Sequence, residues 1–337
     1  MGSILLATPA ISLMKNAFPD ARITFLSFLN NGELLERIDS IDAVLTIDRS
    51  SAFSFLNDTY SVILSILKIR PEIVFDLEFF SKFSTLLSGL SRAPARVAFA
   101  LPTLWRSLIV TNQVALEKNR HVLSSFCEQV LSIAPFRHDI PAIEAMRVTA
   151  EDHASLVKKF PIEGKRIIVI NINAGDTFLE RRWPAERFAR LVDRIAREND
   201  YVFCFTGDVA EKDYVLSTIE GIGSRDKCLD TSGELSLPEL GALLQRSEIL
   251  ISNDSGPVHL AASLGTATVA LYGPESPDFY GVVQMDTRNI CKRISCSPCM
   301  NVYSAKQFRC PYDAQCMREI SVDEVLRHVR SLETVNV

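Results

Sequence analysis

The chain lacks a basic excess. Its 337 residues carry 36 lysines and arginines against 41 aspartates and glutamates, a formal charge of −5 at pH 7. A general nucleic-acid binder needs a surplus of the other sign, so that class is excluded; one local basic pocket for phosphate is not. No apolar run approaches the roughly 20 residues of a membrane-spanning helix, so no transmembrane segment is expected. The opening MGSILLATPAISLM is apolar, but no positive segment precedes it. Lys15 follows it, the reverse of a secretory signal, and the stretch reads as the edge of a fold. Low-complexity tracts and short-period repeats are absent. With 47% hydrophobic and 23% charged residues, the composition is that of a folded protein rather than a disordered, collagenous or coiled-coil one. The expected compartment is the cytoplasm, where the eight cysteines stay reduced.

What is present is alternation. Apolar strand-like runs alternate with amphipathic helix-like segments. ITFLSF from Ile23, AVLTID from Ala43, EIVFDLE from Glu72 and RVAFA from Arg96 read as strands, separated by helical patterns such as YSVILSILKI and KFSTLLSGL. Residues 101 to about 160 hold no clear strand and carry helical patterns instead. The alternation restarts with RIIVINI from Arg166, YVFCFTG from Tyr201, EILISND from Glu248 and TATVALYG from Thr266. Continuous apolar strands alternating with helices mean parallel sheets covered on both faces. The fold class is therefore α/β, with two Rossmann-like doubly wound domains, residues 1–150 and 151–337. The short connection favours one tandem protein with a cleft over two separate modules. Ser236 and Glu239 have capping-box spacing ahead of a helix, with Pro238 in its first turn.

Three loops carry chemistry. NDSGPVHLAASLGTATVALYGPESP, from Asn253, begins at a strand's carboxyl end, where open α/β sheets bind ligands. Asp254 or Ser255 can cap the next helix, Gly256 allows close backbone approach, and His259 sits just inside. Such a helix start suits a diphosphate, and His259 can donate to it. A well-capped helix with a buried histidine explains the same residues. In NAGDTFLERRWP, Gly175 and Thr177 precede Arg181 and Arg182, either of which can clamp a phosphate. Solvated arginines beside a packing Trp183 are the alternative. In TGDVAEKD, Glu211 can hold ribose hydroxyls or complement a helix N-terminus.

Together these loops resemble glycosyltransferase family 9, the ADP-heptose:lipopolysaccharide heptosyltransferase family. The resemblance covers almost the whole chain and includes the N-terminal LLATPAI. It implies the GT-B fold, two Rossmann-like domains facing a cleft, and metal-independent, inverting sugar transfer from a nucleotide-diphosphate donor. ADP-heptose is the donor it implies, and lipopolysaccharide core or another glycolipid the acceptor. The C-terminal half then binds the donor and the N-terminal half the acceptor. Asp254, Ser255, Gly256 and His259 match the diphosphate and sugar loop. Arg181 matches a lysine that contacts donor phosphate, and Glu211 a glutamate that contacts the nucleoside. Gly175 and Thr177 join the donor set. No cofactor is required. A lipid-linked acceptor would bring the protein to the inner face of the cytoplasmic membrane. An anionic acceptor would favour Arg49, Lys68, Arg70 and Arg92, which solvated surface charge explains as well.

Two departures from the family pattern matter. The family opens with a strand and a Gly-Asp pair, whereas only Met1, Gly2 and Ser3 precede ILLATPAI here. The first strand is missing, and the expectation is a product longer at its N-terminus, which intact mass from the native gene would test. The family's aspartate, the general base, aligns with Ser3. A neutral serine has no basicity near pH 7, and a positioned base is worth roughly 10²–10⁴-fold in rate. Asp76 or Glu78 can substitute, or the acceptor hydroxyl needs little base. The alternative is a non-catalytic nucleotide-sugar binding protein; a GT-B sugar epimerase is a further reading.

Five cysteines crowd into residues 291–316: Cys291, Cys296, Cys299, Cys310 and Cys316. The CSPC knuckle plus two later thiols is compatible with structural zinc on Cys296, Cys299, Cys310 and Cys316, though the spacing is wrong for a symmetric ribbon. A disulfide-pinned or reduced loop is the alternative. Cys127, Cys204 and Cys228 read as ordinary buried residues.

Overall fold

The structure is a computed structural model of the 337-residue chain. It describes all residues except 101–103, 118–119, 135–138, 176–177, 285, 301–308 and 334–337. Two compact units emerge, Leu6–Glu144 and a second made of Met1–Leu5 with Ala145–Val337.

The Leu6–Glu144 unit holds β1 (Thr24–Phe28), β2 (Ala43–Ile47), β3 (Ile73–Asp76), β4 (Ala95–Phe99) and β5 (Asn112–Val114). They form two parallel sheets, β1-β2 and β3-β4-β5, and no pairing joins β1 to β3 among the described residues. Every residue of β1 is only half-buried, as a strand with one neighbour allows. Strand β5 lies inside the stretch read as strand-free. It is three residues long, and only Val114 is buried, so it leaves no apolar run to detect. The opening stretch is a helix, Gly2–Ala17, with Pro9 inside it. Leu5, Leu6, Ala10, Ile11 and Leu13 give it a fully packed face.

The larger unit has one six-stranded parallel sheet: β6 (Arg166–Asn171), β7 (Tyr201–Phe205), β8 (Cys228–Asp230), β9 (Ile249–Asn253), β10 (Ala267–Tyr272) and β11 (Thr287–Cys291). The order is β11-β10-β9-β6-β7-β8. From β6 the chain winds one way through β7 and β8, then returns to β6's other side with β9. The order reverses between β6 and β9, and ligands bind open α/β sheets outside the strand ends at such a switch point. Strands β9 and β10 are buried at every residue, as apolar runs in a doubly covered sheet should be. The helix Ala185–Glu198 lays Phe188, Leu191, Val192 and Ile195 on this sheet at helical spacing. The Ser236–Glu239 capping box forms as the spacing predicts, with Glu239 Oε2 accepting from Ser236 N at 2.8 Å.

Candidate functional site

The site grows from the carboxyl ends of β6 and β9. Each strand ends in an asparagine, and the two stitch the crevice together. Asn171 Nδ2 donates to Ser252 Oγ at 3.0 Å and to Ser255 Oγ at 2.9 Å. Asn253 Nδ2 donates to Ile172 O at 2.8 Å, and its Oδ1 accepts from Trp183 N at 2.9 Å. Sequence reasoning passed over both residues. The available signal was a polar side chain closing an apolar strand.

Ser255 stands at the N-cap position of the helix Gly256–Ser263, but its side chain does not cap. Its hydroxyl is drawn to Asn171 and Ser252 instead. Asp254 does not cap either. Its carboxylate lies 2.7 Å from Arg181 Nη2, which also donates to the Asp254 carbonyl. The expectation that one of them caps this helix is thus corrected, because stronger partners claim both side chains. Without a side-chain cap, the helix start keeps backbone donors for an anion. Pro257 takes the first turn, where no N–H is needed.

His259, one turn in, is buried. Gly2 lies so close that a Cβ there would come within 2.8 Å of His259 Cδ2, and Met1 covers Gly256, whose Cβ would meet Met1 Cε at 3.2 Å. The absence of a side chain at Gly2 and Gly256 makes this approach possible. Ser3 is exposed in the first turn of its helix and offers no base.

Arg181 and Arg182 diverge. Arg181 ends a 3-10 turn, Leu179–Arg181, and turns to Asp254. Arg182 stands 3.9 Å from Glu211 Oε1 and 4.6 Å above the Tyr214 ring. Trp183 is packing: it is fully buried, its indole donates to Ile320 O at 2.9 Å, and it meets Phe188 edge-on. Glu211 closes a capping box with Asp208, accepting from Asp208 N at 3.0 Å. Gly207 lets Asn173 and Glu211 approach, since a Cβ there would sit 2.7 Å from Asn173 Nδ2. Gly175 has φ +72, a conformation glycine adopts without strain. Thr177 lies outside the described residues.

The crevice is electrostatically loaded. Burial raises the Asp254 carboxyl above its ordinary value, and Arg181 opposes that rise. Glu275, three residues past β10, went unnoticed in the sequence. Burial raises its carboxyl from 4.5 to about 7, with Asp254 adding to the shift and Arg181 opposing it. The native state therefore holds a proton that the unfolded chain releases, so stability must fall as pH rises from 4.5 through about 7. Glu275→Gln removes this dependence. Denaturant unfolding at pH 5 and pH 8 should show the wild type losing about 2.5 kcal/mol relative to the variant, at about 1.4 kcal/mol per pKa unit with part of the change already spent below pH 5. Parallel curves would contradict it.

The cysteine-rich loop braces the segment that carries Glu275. Ser297 Oγ donates to Gly273 O at 2.7 Å, and Cys299 N and Met300 N donate to Pro274 O at 2.9 and 2.8 Å. All eight cysteines are free thiols. Burial pushes Cys299 up to about 11, and the neighbouring Cys316, Cys310 and Cys296 add to it. Yet among the described residues no three His, Cys, Asp or Glu side chains converge on a metal position. The loop that carries the candidate zinc ligands Cys296, Cys299, Cys310 and Cys316 is held by hydrogen bonds to the carbonyls of Gly273 and Pro274. Cys127 and Cys204 are buried with thiols raised to about 12, as inert core residues should be.

The carboxylates at the end of β3 belong to the other unit. Asp76 is buried, 2.9 Å from Arg106 Nη2, and accepts from Thr85 Oγ1 at 3.0 Å. Glu78 is exposed, and its backbone is gripped by this same pair: Glu78 O accepts from Arg106, and Glu78 N donates to Asp76.

The sequence model of glycosyltransferase family 9 (heptosyltransferase) matches residues 84–307. Lipopolysaccharide heptosyltransferase 3 of Escherichia coli K12 is 24% identical, over 83% of this chain and 81% of its own. A family 9 glycosyl transferase from Veillonella parvula superposes with a TM-score of 0.82 at 24% identity, covering 98% of this chain and 93% of that one. The E. coli ADP-heptose lps heptosyltransferase II gives 0.79 at 17% identity, over 99% and 96%. The fold is thus the GT-B fold. The chain belongs to glycosyltransferase family 9, the heptosyltransferase family, and is a glycosyltransferase.

Proposed function

We propose that this enzyme moves a heptose from ADP-heptose to a lipopolysaccharide core or related cell-surface glycan, with inversion and without a metal. The observation that carries the reading is the convergence of Arg181, Asp254 and an uncapped helix start at the β6–β9 switch point. The names of its relatives point to the sugar and the acceptor: one is a lipopolysaccharide heptosyltransferase, and another an ADP-heptose enzyme. Residues 145–337 then take the donor and residues 6–144 the acceptor.

The acceptor hydroxyl attacks the anomeric carbon as the bond to the diphosphate breaks. Negative charge grows on the leaving phosphate. Arg181, His259 and the backbone donors near Ser255 and Gly256 stabilise it, and donors preset for that charge cost no reorganisation. Gly175, Thr177 and Glu211 complete the donor set, with Glu211 and its Arg182 neighbour on the nucleoside side. The hydroxyl's proton needs an acceptor other than Ser3. Asp76 is committed to Arg106 and Thr85, which leaves Glu78 as the carboxylate candidate. A lipid-linked acceptor would bring the reaction to the inner face of the cytoplasmic membrane. The competing reading, a non-catalytic nucleotide-sugar binder, rests on Ser3 alone and finds no support among the relatives.

The test is transfer itself. Incubation with ADP-heptose and core acceptors truncated before each heptose should release ADP and add one heptose mass to one of them. Donor binding without transfer to any acceptor would favour the binder.

A further inference from the structure

The helix Ala52–Ile69 is apolar on two faces. Its inner face is accounted for. Val62 is buried, and Phe55, Ile63 and Ile66 pack with it against Ile47 and Leu87. Its outer face is not. Phe53 is 81% exposed, Leu56 67%, Tyr60 64%, Leu64 50% and Leu67 38%. At about 100° per residue, these five lie within an arc of about 80°. A soluble helix presents polar residues there. The neighbouring helix Lys82–Leu90, joined to it by the Phe55–Phe83 ring contact at 5.2 Å, exposes Leu86 and Leu90 one turn apart. Scattered exposed leucines are ordinary, but a continuous apolar stripe marks an interaction surface.

The charge around the stripe is one-sided. Lys68 and Lys82 lie on the two helices, and Arg70 and Arg92 follow their C-terminal ends, all four exposed. The two helices carry one carboxylate between them, Asp58, and its Oδ2 accepts from Asp48 N at 3.0 Å. Glu72, beyond the first helix, is the nearest exposed acid in sequence. No helix among the described residues is long and apolar enough to cross a membrane. An apolar stripe with cationic ends that cannot span suits a helix lying in a lipid interface, rings and leucines in the acyl boundary and lysines among anionic headgroups.

We propose that the outer face of Ala52–Ile69, with Leu86 and Leu90, docks this unit on an anionic phospholipid surface. The proposal rests on the transferase reading only for its purpose, delivery to a lipid-anchored acceptor; the surface is argued from exposure and charge. The test is co-sedimentation of the full chain with phosphatidylcholine vesicles, with and without phosphatidylglycerol. Binding should need phosphatidylglycerol and weaken as salt rises from 50 to 500 mM. The triple variant Phe53→Ser, Leu56→Ser, Leu64→Ser should lose about ten-fold or more in partitioning, since each inserted side chain contributes through its apolar area. Lys68→Glu with Arg70→Glu should abolish the phosphatidylglycerol preference. ADP-heptose transfer to a soluble, delipidated acceptor should stay unchanged in the triple variant. Failure of the wild type to bind either vesicle, or equal binding by the triple variant, overturns the proposal while leaving transferase activity intact. A wild-type dimer that the triple variant dissolves, with no vesicle binding, assigns the face to a second copy instead. Vesicle binding without transfer on any acceptor counts against the transferase reading alone.

Discussion

Replacing Arg181 with methionine should lower kcat/KM for the nucleotide-sugar donor by about 10²–10³-fold, the usual loss when a preset charge stabiliser is removed. Arg181 does two jobs in this crevice. Its guanidinium pairs with Asp254 at 2.7 Å, and its Nε is buried without a hydrogen-bond partner. The first sets a positive charge against a buried carboxylate beside the helix start; the second leaves a donor for a phosphate oxygen. Methionine fills the space and supplies neither. The Asp254 carboxyl would then rise further, because burial already raises it and the opposing Arg181 charge is gone. Arg181→Lys keeps the charge and should retain activity to within about tenfold, losing only the forked geometry. Donor kinetics within threefold of wild type for Arg181→Met would remove the residue from the mechanism.

Arg106→Met should give the largest loss of stability, about 3–5 kcal/mol, the usual cost of breaking a buried pair from one side. Arg106 is 1% exposed and Asp76 5%. The guanidinium also holds the carbonyls of Phe79 and Glu78 at 2.8 and 3.0 Å, so it fixes the turn after β3 that presents Glu78. Methionine leaves a buried carboxylate and two carbonyls without this donor. Asp76→Leu combined with Arg106→Met removes the stranded charge and should recover more than half the loss. Urea unfolding measures both. A single-variant loss under about 1 kcal/mol would mean water reaches the pair, since exposed pairs are worth about that much.

The long apolar strands and the loops behind them were legible in the sequence. RIIVIN and EILISN announce buried strands, and the Gly-Pro pair after the second announces a helix start. Short strands were not. β5, β8 and β11 have three to five residues with polar members, and neighbours rather than their own pattern make them strands. The opening helix was hidden by Pro9. In the site, residue types were legible but partners were not. Asp254 was read as a cap because capping is local. Its actual partner, Arg181, lies 73 residues away and is brought there by β6 and β9. Glu275 was overlooked for the same reason: its burial depends on the Gly273–Pro274 segment being pinned by the cysteine-rich loop. The cysteine spacing points to a metal but says nothing of the brace that the same loop forms on Gly273 and Pro274.

Calorimetric titration of the full chain with ADP, UDP, GDP and CDP tests the donor crevice most directly. Selective binding of ADP is expected, greatly weakened by Arg181→Met and little changed by Arg106→Met while the protein remains folded. Absence of binding by all four nucleotides to the folded wild type would contradict it.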